Sequence, residues 1–143
     1  MDRRPIRCRK LQSKGSDEGD EEVEMKKKSR KLSEMISEMA AYMIDVGETP
    51  EEKQNRLNAA CTAWNMACGP PKVRKQQLED YMSGYKKFNS AASSDDLANI
   101  RRDMESLIER KLQMFPDDKR QIVNARIVMV GQCYRIEIAS ARL

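Results

Sequence analysis

The sequence predicts an α+β fold: a small four-helix bundle followed by a C-terminal antiparallel β-hairpin, behind a disordered, charged N-terminal tail. Three observations lead there. Apolar residues recur at helical spacing in four successive segments between residues 29 and 114. Beyond Asp118 the period changes to two. The formal net charge of +4 lies wholly in the first 31 residues, which hold 11 Lys/Arg against 7 acids.

The tail is assigned to residues 1–28 and a single α+β domain to 29–143. The tail runs basic (Arg3 to Lys14), acidic (Asp17 to Glu24) and basic again (Lys26 to Lys31). Its larger apolar residues before Lys26 are Met1, Ile6, Leu11, Val23 and Met25, without sustained helical spacing. Such a segment buries too little surface to offset its ordering entropy, so it is expected to be disordered when unbound.

The first helix is expected over about 29–46. Leu32, Met35, Ile36, Met39, Met43 and Val46 share one face, and Gly47 offers a left-handed stop. The second spans about 50–68. Thr49 can cap it, Pro50 suits its first turn, and Glu52 can complete a capping box. Its stripe is Leu57, Ala60, Cys61, Trp64 and Cys68, and Gly69-Pro70-Pro71 ends it. Trp64 lies mid-stripe and reads as a core anchor.

The third helix runs over about 71–88, with Leu78, Tyr81, Met82, Tyr85 and Phe88 inward. The fourth covers about 94–114. Ser93 or Ser94 caps it, and Asp95 and Asp96 complement the helix dipole. Its inner face is Leu97, Ile100, Met104, Leu107, Ile108 and Leu112. Its outer face interleaves Arg101, Arg102, Glu105, Glu109 and Arg110, with Glu105–Arg101 as a helical ion pair.

The hairpin follows over about 121–130 and 133–141. Val123, Ala125, Ile127 and Met129 form one face of its first strand, and Tyr134, Ile136 and Ile138 that of its second. Gly131-Gln132 suits a type II′ turn. The register sets Met129 against Tyr134 and Ile127 against Ile136, and it sets Arg126 against Glu137 as an opposite-charge pair.

Function is constrained mostly by exclusion. The chain has no histidine, hence no imidazole base, ligand or nucleophile partner. No P-loop, dinucleotide-binding glycine pattern or nucleophile elbow is present. The paired acids sit at helix ends, where they are ordinary caps and turn formers. No enzyme activity, catalytic residue or cofactor is expected. Cys8, Cys61, Cys68 and Cys133 are scattered without close pairs, so no metal site is expected either. This cysteine usage, the lack of a signal-peptide core and the lack of a membrane-length apolar run lead to an intracellular expectation: cytoplasmic, or nuclear in a eukaryotic source.

Two strands alone are marginal in water and leave edges open. The hairpin is therefore the first candidate site. The expected function is a non-catalytic interaction or regulatory module that binds a protein partner or a second copy, as a homodimer. The expected interface is the hairpin with the adjacent helix surface: Ile122, Val128, Val130, Arg135 and Glu137, with Cys133 to Ala141 as the pairing edge. The alternative partner is nucleic acid, held by phosphate contacts from Arg3, Arg4, Arg7, Arg9, Lys10, Lys26, Lys27, Lys28, Arg30 and Lys31. The tail has no aromatic residue on which bases could stack.

Overall fold

The computed structural model describes residues 2–3 and 31–141. Four helices are followed by an antiparallel hairpin, as the periodicity predicts. The elements are β1 (Asp2–Arg3), α1 (Leu32–Ile44), α2 (Pro50–Cys68), α3 (Pro71–Phe88), α4 (Ser94–Met114), β2 (Gln121–Val130) and β3 (Cys133–Ala141). The rest of the expected disordered tail, residues 4–28, lies outside the described residues. Asp2 and Arg3 differ from that expectation, because they pair antiparallel with β3 and give the sheet order β1-β3-β2. Backbone pairing of this kind needs no apolar pattern, so composition cannot foretell it.

The chain divides into two compact units. The first takes the residues up to Asn58 together with Val123–Ser140, and the second takes Ala59–Ile122.

In the first unit, α1 is buried on more than one side. Leu32, Met35, Ile36, Met39, Ala40 and Ile44 are enclosed, as are Ser33 and Ser37. Leu57, Tyr134, Ile136 and Ile138 are also buried in this unit. The helix stops at Ile44, and Val46, expected inward, is 56% exposed. Ile44 is the last inward side chain instead. Gly47 is not in the left-handed region. It is required for space, because a Cβ there would sit 3.0 Å from the Lys53 backbone nitrogen. Lys53 Nζ donates to the Gly47 carbonyl at 2.7 Å and satisfies the end of this turn. Thr49 Oγ1 accepts from the Glu52 amide at 3.0 Å, as expected. The reciprocal bond is shifted by one residue: Glu52 Oε1 accepts from the Glu48 amide at 2.7 Å.

In the second unit, Trp64, Met66, Leu78, Met82, Met104, Leu107 and Ile108 are buried among small α2 residues. Arg74 donates to the Gly69 carbonyl at 2.9 Å, just past the end of α2. Ser93 caps α4 in a full capping box with Asp96, both bonds at 3.0 Å. Phe88 continues the period of α3 but is its last residue, and it is 88% exposed rather than inward. Arg101 does not rely on Glu105. It forks onto Glu79 of α3 with two bonds of 2.9 Å.

Candidate interaction surface

The hairpin turn is set by Gly131, whose φ of +65° is the left-handed value such a turn requires. The register is supported by chemistry on one face. Arg126 donates twice to Glu137 Oε1, at 3.0 and 2.8 Å, and Arg135 approaches Oε2 at 3.3 Å. Both guanidiniums bond the carboxylate, and the Glu137 side chain is 3% exposed while Arg126 remains 59% exposed. Glu137 was expected to present itself to a partner. It is instead the buried centre of an arginine pair, and Arg126 and Arg135 are what the face offers.

The alternation of β2 slips near its start. Ile122 is buried, Val123 and Asn124 are both exposed, and Ala125 turns inward again. Exposure therefore does not alternate at the start of β2. Ile122 is therefore a core residue and not an interface residue. Asn65 holds it there, accepting from its amide at 2.8 Å and donating to its carbonyl at 2.9 Å. The same slip leaves Val123 65% exposed, although its position in the pattern predicts the inner face.

In the first unit, Gln54 of α2 makes the same two-point bond to β2. Its amide donates to the Ala125 carbonyl at 3.0 Å and accepts from the Ile127 amide at 2.8 Å. One carboxamide thus supplies a donor and an acceptor in the positions a neighbouring strand would occupy. The edge of β3 is treated differently. Among the described residues, Asp2 lies opposite Ile138 and Arg3 opposite Glu137. β1 also contacts α1.

The exposed apolar residues of the hairpin are Val123, Met129 and Val130, at 65%, 37% and 40%. Val128 is half-buried. Tyr42 and Val46 are exposed in the same unit. Of the expected phosphate contacts, Arg3 is in β1 and Lys31 is exposed immediately before α1; Arg4, Arg7, Arg9, Lys10, Lys26, Lys27, Lys28 and Arg30 lie outside the described residues.

Two buried lysines have structural partners that the sequence pattern did not reveal. Lys53 lies 5.1 Å over the Tyr134 ring, whose hydroxyl donates to Asp45. Lys111 is fully buried, 4.8 Å over the ring of Trp64, and donates to the Asp118 carbonyl at 2.6 Å. Burial pushes the Lys111 amine below its usual range. The Trp64 indole donates to the Arg120 carbonyl at 2.8 Å. Both cations therefore fasten chain reversals and stack on rings. The signal that could have found Lys111 is its spacing of four from Leu107, which continues the buried stripe.

The cysteines divide. Cys61 is free and buried, and burial pushes its thiol up to about 12, which leaves it protonated and inert. Cys68 is free, and its thiol is raised by burial against the opposing charge of Lys111. Cys133 is disulfide-bonded, and the remaining cysteine, Cys8, lies outside the described residues. Among the described residues no cluster of three or more Cys, Asp or Glu could hold a metal ion. No helix among them is long and apolar enough to cross a membrane. An open cleft of about 380 Å³ between α3 and α4 contains one carboxylate, Glu79. The hydrogen-bonded Arg101 guanidinium holds it below the usual carboxylate range. No protein-family model, curated protein or solved structure matches this chain.

Proposed function

We propose that this chain is a non-catalytic interaction module that accepts an extended segment of a protein partner along β3. The observation that carries the reading is the unequal treatment of the two sheet edges. Gln54 supplies side-chain bonds along β2, whereas β3 takes a strand, with β1 paired to Glu137 and Ile138 among the described residues. In strand addition, backbone bonds provide affinity and alternate side chains provide specificity. Here the specificity elements are Arg126 and Arg135 around Glu137, and the exposed Val130 near the turn.

A photo-crosslinking residue at Val130 tests this in extract from the native source. A control carries the same group at Phe88, which is 88% exposed on α3. The expected outcome is one discrete adduct from Val130, mapped to a peptide of the partner and competed by excess unmodified chain. The Phe88 control is expected to give no such adduct. A Val130→Asp change should weaken capture at least several-fold. Equal labelling from both positions would remove the hairpin as the binding surface.

A further inference from the structure

We propose that Arg126 and Arg135 recognise an acidic side chain of the partner, so that the segment this hairpin accepts carries Asp or Glu on the outer side of the sheet. The inference rests on the strand-addition reading and names the chemistry of the segment. The two guanidiniums share one carboxylate. Arg126 gives Nε and Nη2 to Glu137 Oε1, and Arg135 gives Nε to Oε2. A guanidinium carries five N–H donors. Among the described residues, Nη1 of Arg126 and both terminal nitrogens of Arg135 have no protein acceptor. The Arg126 side chain is 59% exposed and that of Arg135 26%, so a ligand can reach the pair from solvent.

Charge decides the class of ligand. Arg126, Arg135 and Glu137 are the charged residues of β2 and β3, which leaves one positive charge in excess. A second carboxylate completes a neutral set of four, in the forked geometry that guanidinium and carboxylate share. A cationic side chain there would meet like charge. Arg135 lies on β3 itself, so an added strand sets one of its own side chains beside it. The neighbouring surface is apolar: Val128 and Val130 follow Arg126 at alternate positions of β2, half-buried and 40% exposed. Nucleic acid is a poorer fit, because the one aromatic residue of the hairpin, Tyr134, is buried and offers no surface to a base.

The test selects ligands for the full chain from a phage-displayed library of random peptides at physiological salt. The recovered peptides should share Asp or Glu at one position among alternating apolar residues. The strongest is then synthesised with that acid and with its amide counterpart. The acid should bind about 2- to 10-fold more tightly. It alone should shift the Nε–H signals of Arg126 and Arg135 in NMR spectra. An Arg126→Gln/Arg135→Gln/Glu137→Gln variant should bind both peptides alike. This variant removes the cations without stranding a buried carboxylate, and it keeps the charge excess of residues 1–31. Peptides without an acid, or an acid whose neutralisation costs nothing, would overturn the inference, and shifts of the β3 amides would then leave strand addition standing. An acid preference that the variant retains would assign the contact to residues 1–31 and overturn it too. Tighter binding of a duplex DNA probe at the same Nε–H signals would replace carboxylate by phosphate. No peptide above background on the native chain would overturn both readings.

Discussion

Asp118 and Lys111 show how single residues fasten the turn after α4. Burial pushes the Asp118 carboxyl up, but the Arg120 side chain and backbone amide pull it down further, to a net value below the usual range. Three bonds carry this: Nε at 3.0 Å, the terminal guanidinium nitrogen at 2.6 Å and the backbone amide at 3.1 Å. A carboxylate depressed on folding stabilises the native state above its unfolded pKa of about 3.9. That contribution is lost as pH falls through the lower folded value. Asp118→Asn should therefore cost about 1–3 kcal/mol near neutral pH. The gap between native chain and variant should close as urea midpoints are measured down from pH 4. A gap that stays constant to pH 2 would show that the charge is not responsible. The sequence marked Asp118 only as a turn former, because its partner Arg120 is fixed by the backbone path and not by spacing.

At the scale of elements, helix limits were largely legible because their punctuation is local. Thr49-Pro50, Gly69-Pro70-Pro71 and Ser93 with Asp96 act within a few residues, and α2, α3 and α4 begin and end where these signals fall. What fails is the prediction of which residues face inward at the ends. Val46 and Phe88 keep the helical period but lie at or beyond the last turn, where the period no longer guarantees cover. The β2 slip fails for another reason: Asn65 bonds to Ile122 over 57 residues of sequence, and no local pattern contains that bond. Gly84 has the opposite lesson. It lies inside α3 and invites a close-packing role, yet a Cβ there meets nothing within 4 Å. Gly84→Ala should raise stability by up to about 1 kcal/mol through helix propensity alone. Thermal unfolding measures this, and a lowered midpoint would reveal a need for the glycine elsewhere.

Across the whole molecule, charge and structure are distributed differently. The excess of four positive charges belongs to residues 1–31, while the rest of the chain holds 16 basic and 16 acidic groups. Any affinity for polyanions should therefore reside in that segment. Heparin or duplex DNA binding, if measured against salt, should show a steep slope for the full chain and a nearly flat one after deletion of residues 1–31. A slope that survives the deletion would place the contacts on the folded residues. The candidate surface was legible in part. Alternation, turn and charge identified the hairpin, its β3 edge and the Arg126–Glu137 pair, but Ile122 was placed outward because Asn65, which bonds to it, acts from a helix. Trp64 has a practical consequence for all such measurements. It is the only tryptophan, and its indole is wholly enclosed between Lys111 and the Arg120 carbonyl. The intrinsic fluorescence of the protein is thus an optical gauge of native packing, and an arriving ligand has no exposed indole to quench.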